Sequence, residues 1–279
     1  MAKATRRRLD VELMRRRLVD SRKRAVEVIE AGQVLVDGAL ANKASRLVAP
    51  SQDVRLQGPP PPFVSRGGEK LAAALDRFQI DPSGLRCLDA GSSTGGFTDC
   101  LVQRGAVSVF AVDVGTNQAH EKVRNHPRVT LREQTDIRSI TLADVGSDPF
   151  DLVVGDLSFI SLKLVLPVLV SVASAHAPLV LLTKPQFEAG RVEASKGRGI
   201  IRDPDIWRRV LHEVAESANG HGLTLSGLMV SPITGTKGNV EFLTRFDRGP
   251  STLDSDGVVL QRQADLIERT ISDAEARDR

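Results

Sequence analysis

The 279-residue sequence predicts a doubly wound α/β protein, a mostly parallel sheet with helices on both faces, preceded by a small basic α+β domain. Three observations carry this. From Leu85 to Thr183, apolar strand-like runs alternate with helical patterns, the order that builds parallel βαβ units. The first run ends in a glycine-rich turn, Asp89-Ala90-Gly91-Ser92-Ser93-Thr94-Gly95-Gly96, and a proline run, Pro59 to Pro62, separates this part from a shorter segment rich in arginine. A content of 41% hydrophobic and 26% charged residues excludes disordered, collagen-like and coiled-coil classes. The two cysteines, Cys87 and Cys100, have no C-x-x-C spacing, so neither a disulfide framework nor a zinc site is expected, and no metal. No apolar run follows the basic start, which argues against a secretory signal and makes the cytoplasm the expected compartment.

Residues 1–55 hold 13 Lys/Arg against 7 Asp/Glu, a surplus of six in a chain whose net charge is +3. Such clustering is the electrostatic footprint of a polyanion binder, the alternative being a solubilising basic face. Within it, Val11 to Leu18 and Ser21 to Ile29 read as short amphipathic helices, with Ser21 as cap and Gly32 as stop. Gln33 to Gly38 alternates toward an Asp-Gly turn, a hairpin signal. The order Arg8-Leu9-Asp10, Ser21-Arg22-x-x-Ala25, Ile29-x-x-Gly32-x-Val34-x-Val36-x-Gly38 resembles the S4-type RNA-binding domain over about residues 8–56. That resemblance implies RNA as partner, with Arg6, Arg7, Arg8, Arg16, Arg22, Lys23, Lys43 and Arg66 the expected contacts. With no Tyr and one Trp, an aromatic base-stacking platform is not expected, so phosphate and shape contacts should dominate. The organisation read from these signals is residues 1–58 as RNA-binding domain, 59–66 as a stiff proline-rich linker and 67–279 as the α/β domain.

Strands of that second domain are expected at Leu85–Ala90, Val107–Val112, Val129–Arg132, Leu152–Gly155 and Leu179–Thr183, with a helix over Phe97–Arg104. Leu164 to Leu182 runs 19 residues without a formal charge, the length of a membrane span. Pro167, His176 and Pro178 interrupt it, so a helix over Leu162–Ala173 followed by a buried strand is expected instead, and no membrane as partner.

Open α/β sheets bind ligands at the carboxyl ends of their strands, where the glycine-rich turn lies. A dinucleotide fingerprint needs glycine where Ser93 stands, and a P-loop needs lysine where Phe97 stands. What remains suits a nucleoside cofactor without phosphates, such as S-adenosylmethionine. Asp89, Gly91, Ser92, Ser93, Gly95, Gly96 and Phe97 form the expected cradle, Asp113 is placed for the ribose hydroxyls and Asp136 for the adenine amine. For Asp113 and Asp136 the alternative is helix capping.

Ionisable groups at the same edge are Asp156 after Leu152–Gly155 and Lys184 after Leu179–Thr183. Glu241 interrupts a buried strand-like run, and if that last strand is antiparallel its start lies at this edge too. Lys70 starts the helix before the first strand. Lys70, Asp156, Lys184 and Glu241 together resemble the Lys-Asp-Lys-Glu tetrad of FtsJ-type ribose 2′-O-methyltransferases. With Val64-Ser65-Arg66-Gly67, Asp156-Leu157-Ser158-Phe159-Ile160-Ser161 and Lys184-Pro185-Gln186-Phe187-Glu188, the chain resembles the TlyA family almost end to end. The resemblance implies a class I Rossmann-like methyltransferase with an antiparallel last strand. It implies cytidine 2′-hydroxyls of ribosomal RNA, 23S and also 16S, as substrate, and Asp156 and Leu157 among the cofactor contacts. A ribose hydroxyl is a poor nucleophile, so a base must take its proton; Lys184 is the expected base, Asp156 and Lys70 its positioners and Glu241 an orienter. The rival readings are a non-catalytic RNA-binding assembly factor and, from an older family label, a membrane-active haemolysin.

Overall fold

Strand β1 (Arg7–Arg8) leads into helix α1 (Leu9–Arg15), whose Leu9 and Leu13 share a buried face with Ala25, Val28 and Ile29 of α2 (Arg22–Glu30). These faces close over Val34 and Val36 of β2 (Val34–Val36). β3 (Ala39–Leu40) and β5 (Val54–Leu56) flank β2 antiparallel, and β4 (Leu47–Val48) pairs with β1. The Asp-Gly turn forms as expected, with Asp37 at φ 52° and Gly38 at φ 79°, the left-handed pair that a two-residue hairpin needs. Ser21 Oγ accepts from Arg24 N at 3.1 Å, so the expected cap is present. The first helix begins and ends earlier than the apolar spacing predicts, because Arg17 adopts a left-handed φ of 57° and stops it.

This computed structural model describes residues 6–19, 21–58, 61–190, 193, 195, 197, 199–235, 237–249 and 257–278. The chain divides into two units, Met1–Pro61 and Pro62–Arg279. Residues 62–66, read from sequence as part of the linker, are held by the second unit. Val64 N donates to Asp99 Oδ2 at 2.9 Å, Phe63 packs against that unit's core, and Ser65 precedes α3 (Arg66–Phe78).

The second unit is built on β6 (Arg86–Ala90), β7 (Ser108–Val112), β8 (Val129–Arg132), β9 (Leu152–Gly155), β10 (Leu179–Thr183), β11 (Leu223–Val230) and β12 (Phe242–Arg248). They form one seven-stranded sheet in the order β11-β12-β10-β9-β6-β7-β8, in which β12 alone runs against its neighbours. The antiparallel last strand is therefore present. Alternate side chains leave opposite faces of a strand, so the sheet has two cores. On one face Cys87, Val109, Val154 and Leu182 meet α3 and α4 (Gly96–Gln103) through Leu71, Leu75 and Leu101. On the other, Leu88, Phe110, Val153 and Leu181 meet Leu166 and Leu169 of α6 (Leu166–Val172). Trp207 and Leu211 of α8 (Pro204–Asn219) and Ile267 of α9 (Val258–Asp278) cover the rest of that face. Among the described residues, α5 (Glu121–Arg124) and α7 (Pro185–Glu188) are further short helices of the unit.

The helix expected over Leu162–Ala173 is instead a 3₁₀ turn, Leu162–Leu164, followed by α6. Pro167 lacks a backbone N–H and is tolerated only in a first turn, so the regular helix starts around it. After the connection 173–178 the uncharged run ends in β10, buried along its length between β9 and β12. Among the described residues no helix is long and apolar enough to cross a membrane.

Candidate active site

β6 and β9 are neighbours, and the chain continues from them toward opposite sides of the sheet. At such a switch point the loops leaving the two strands diverge and open a crevice. The loop after β6 turns through left-handed residues, Gly91 at φ 83°, Ser93 at 47° and Gly95 at 91°. A Cβ on Gly91 would stand 3.0 Å from the Asp156 carbonyl, and one on Gly95 would stand 2.8 Å from Val123 of α5, so both glycines are required by close approach as well as by φ.

A cavity of about 1000 Å³ opens over this loop, lined in part by Gly91, Ser93, Asp113, Asp136, Leu157 and Phe159. Asp113 braces it: Oδ2 accepts from Ser93 N at 2.8 Å and Oδ1 from Gly115 N at 2.7 Å, joining the loops after β6 and β7. Each carboxylate oxygen keeps a second lone pair for a ligand hydroxyl. Asp136 caps the turn Ile137–Ser139 by accepting from Arg138 N, and also pairs with the Arg138 guanidinium at 2.6 Å. Both capping and a place on the cavity wall thus apply to Asp136. The Arg138 hydrogen bonds lower its carboxyl below the usual range.

Several expected cradle residues do not reach the cavity. Ser92 and Phe97 are buried, and a Cβ on Gly96 would stand 2.9 Å from Gly68 N and 3.2 Å from Gly67, so Gly96 serves the approach of α3. Asp89 lies fully buried beneath the loop, with Thr98 Oγ1 donating to Oδ2 at 2.6 Å and Oδ1 without a partner among the described residues. Burial, joined by the charges of Asp156 and Asp113, pushes its carboxyl up to about 7. Unfolded, the group titrates near 4, so between pH 4 and 7 the folded state holds the extra proton and stability falls as pH rises. Asp89→Asn removes this dependence. Its stability relative to wild type should grow by roughly 2 to 3 kcal/mol from pH 5 to pH 8 and level off above 7. Urea unfolding of both proteins across that range measures it, and a difference independent of pH would refute the raised carboxyl.

At the neighbouring strand ends stand two largely buried lysine–carboxylate pairs. Lys184 Nζ lies 2.5 Å from Asp156 Oδ1, and Lys70 Nζ donates to Glu241 Oε2 at 2.5 Å. Lys70 and Lys184 are each 8% exposed and Glu241 3%, while the Asp156 side chain, 25% exposed, opens partly to solvent. The antiparallel register sets Thr183 opposite Phe242, which brings Glu241, just before β12, level with Lys184. Lys70 reaches the same edge from the second turn of α3. All four tetrad residues expected from sequence therefore meet at one edge, paired two by two.

The structure adds residues that sequence reasoning did not assign. Ser158 Oγ accepts from Lys184 Nζ at 2.8 Å and Gln186 Nε2 donates to Glu241 Oε1 at 3.3 Å; both residues line the cavity and so join the tetrad to it. A Cβ on Gly235 would meet Glu241 Oε1 at 2.6 Å, so the loop before β12 packs on the carboxylate only with glycine there. Phe159 is 90% exposed on the cavity rim in a left-handed φ of 65°, and its ring lies 5.0 Å from that of Phe187. A bulky residue held at such a φ is a strained position of the kind found at functional sites. The Tyr and Trp counts predict no aromatic base-stacking platform; two phenylalanines, Phe159 and Phe187, nonetheless meet on the cavity wall.

In the first unit, Asp10 and Glu12 are buried on α1 and gather arginines. Arg8 and Arg22 bond Asp10 at 2.9 and 3.1 Å, and Arg15 and Arg16 bond Glu12 at 2.6 and 2.7 Å. The Arg15 hydrogen bond leads in lowering the Glu12 carboxyl to about 2. Arg6, Arg7, Arg8, Arg22 and Lys43 are exposed. Arg16 is placed differently from the expectation, with its guanidinium turned onto the carbonyls of Gln52 at 2.8 Å and Pro50 at 3.1 Å. Arg66 opens α3 in the second unit, and the Lys23 side chain lies outside the described residues.

The fit to a nucleoside cofactor can be judged from the donor set. Arg138 is the one cation among the described residues lining the cavity, and it is tied to Asp136. The remaining walls are acidic, amide, hydroxyl and apolar, which suits a ribose, a purine and a positive centre rather than a phosphate chain.

Comparison with known proteins agrees with this geometry. A model of the FtsJ-like methyltransferase family matches residues 63–248, and an S4 domain model matches residues 7–54. The 16S/23S rRNA (cytidine-2′-O)-methyltransferase TlyA of Mycobacterium tuberculosis is 45% identical over 253 residues, 89% of this chain and 94% of its own. Hemolysin A of Brachyspira hyodysenteriae is 36% identical, covering 86% of this chain and 99% of its own. Among solved structures, a putative hemolysin from Streptococcus thermophilus superposes with a TM-score of 0.74 at 34% identity, over 99% of each chain. With an S4 domain ahead of an FtsJ-like domain and this degree of identity along nearly its whole length, the chain belongs to the TlyA family of FtsJ-like methyltransferases.

Proposed function

We infer that this protein transfers a methyl group from S-adenosylmethionine to the 2′-hydroxyl of cytidines in ribosomal RNA, 23S and also 16S. The observation that carries this reading is the two pairs, Lys184–Asp156 and Lys70–Glu241, at the edge of a cavity with no unpaired cation on its described walls. The names of the relatives supply the target nucleoside and the RNA class. When bound, the cofactor supplies a methyl group activated by a sulfonium. Asp113 would hold its ribose hydroxyls, Asp136 and Ile137 would border its adenine, and the loop from Gly91 to Ser93 would pass beneath its amino-acid portion.

The protein's own chemistry follows from the edge residues. In its neutral form the Lys184 amine takes the proton of the ribose hydroxyl as the oxygen attacks, and the Asp156 carboxylate stabilises the ammonium so formed. Glu241, fixed by Lys70 and Gln186, presents an ordered carboxylate against which the substrate hydroxyl can be oriented. Phe159, exposed and backed by Phe187, offers a face on which the base of the target nucleotide can stack. The exposed Arg6, Arg7, Arg8, Arg22 and Lys43 of the S4 domain supply phosphate contacts.

The test is direct. Purified protein with methyl-labelled S-adenosylmethionine and ribosomal subunits from a strain lacking the gene should place label in 2′-O-methylcytidine after complete nuclease digestion. Label in a base-methylated nucleoside, or none in either subunit, would overturn the assignment.

A further inference from the structure

Lys184 is held in two different ways. Its contact with Asp156 Oδ1 is close, 2.5 Å, but is an ion pair without the alignment of a hydrogen bond. Its bond to Ser158 Oγ, 2.8 Å, is aligned. The difference matters at the moment of reaction. An amine that accepts a proton must first be neutral, and a neutral amine is no longer drawn to a carboxylate by net charge. A directional hydrogen bond from one N–H survives that change and fixes how the lone pair points.

Resting on the reading of Lys184 as base, we propose that Ser158 is a positioning residue of the methyl transfer, the acceptor that aims the neutral amine of Lys184 at the ribose hydroxyl. The surrounding chain is built to hold it there. Buried Glu188, on the same short helix that Lys184 caps, accepts from Ser161 Oγ at 2.5 Å and from Leu162 N at 2.7 Å. The segment that carries Ser158 is thereby pinned to the element that carries the lysine. Between Ser158 and this clamp the backbone passes through Phe159 in its left-handed conformation, a strained link that the clamp on the far side helps to maintain. Glu188 is not among the residues lining the cavity, and burial raises its carboxyl above the usual range.

The experiment is a double-mutant cycle on the full chain with ribosomal subunits, read as single-turnover rate at saturating cofactor and RNA. Ser158→Ala should slow transfer by about 10- to 100-fold, the size of effect that misorientation of a reacting group produces. The dissociation constant for RNA should stay within about twofold and that for S-adenosylmethionine, whose cavity Ser158 helps to line, within a few-fold, far less than the change in rate, because a group that orients the base acts on the chemical step. Ser158→Thr, which keeps the hydroxyl, should restore most of the rate. Added to Lys184→Ala, Ser158→Ala should cost nothing further, since a serine that acts through the amine has nothing to orient once it is gone. Ser158 is exposed, so Ser158→Ala should fold, and its melting curve serves as control. Near wild-type transfer by Ser158→Ala, or an equal loss with and without Lys184, would overturn the proposal while leaving an inactive Lys184→Ala as support for the base. Full activity of Lys184→Ala would overturn both.

Discussion

Lys184→Ala lowers the single-turnover rate of methyl transfer on the order of 100- to 10,000-fold, the range that general acid–base catalysis contributes. Cofactor and RNA affinities change little, because the amine stands at the strand end among Asp156, Ser158 and Phe187 and is not on the wall of the cofactor cavity. The charge-retaining Lys184→Arg is nearly as inactive, since a guanidinium cannot give up its proton at accessible pH. Rapid-quench measurement of label transfer, with calorimetry for the cofactor, separates the two quantities. An active arginine variant would make Lys184 an electrostatic anchor and move the search for the base to Asp156 or to water. Asp156→Ala gives a second view: it leaves a buried amine without its carboxylate, and activity should fall even though the lysine remains.

Removal of residues 1–61 abolishes methylation of subunits while leaving the second unit folded. That unit begins at Pro62 and contains its own two cores, and cutting there preserves Phe63, Val64 and Ser65. The deleted part carries the basic surplus of the chain and the S4 match. Each lost phosphate contact lowers the slope of log affinity against log salt by roughly 0.7 to 0.9, so the truncated protein should bind RNA weakly and with little salt dependence. At subunit concentrations near the wild-type dissociation constant the rate should fall by about 100-fold or more. Calorimetric titration with S-adenosylmethionine should remain within a few-fold of wild type. Methylation at a near-normal rate by the truncated protein would place RNA recognition in the methyltransferase unit instead.

Local pattern makes several features legible in the amino-acid sequence alone. Buried parallel strands are short unbroken apolar runs, so Leu152–Gly155 and Leu179–Thr183 declare themselves, and the charged residue that ends each run, Asp156 or Lys184, marks the carboxyl edge. The turn at Asp37-Gly38 and the cap at Ser21 are legible for the same reason, since each depends on the backbone preference of one or two adjacent residues. The start of α6 is less so, because a single proline shifts a helix boundary without disturbing the apolar pattern around it.

What the sequence by itself determined is the domain order, the five parallel strands from Leu85 to Thr183 with an antiparallel last one, the place of the glycine loop and, through the family resemblance, four edge residues; β11 (Leu223–Val230) was not among the expected strands. Partnership among those residues was decided only in three dimensions. Nothing along the chain says that Lys184 pairs with Asp156 while Lys70 pairs with Glu241; that follows from β9 lying beside β10 and from the register of β12. Nor does it say that Arg16 turns inward onto Gln52, that Asp89 lies sealed beneath the loop it introduces, or that Phe159 and Phe187 meet. Each of these depends on contacts between segments distant in sequence, and a residue's own preferences carry no information about a partner that sheet order and register bring to it.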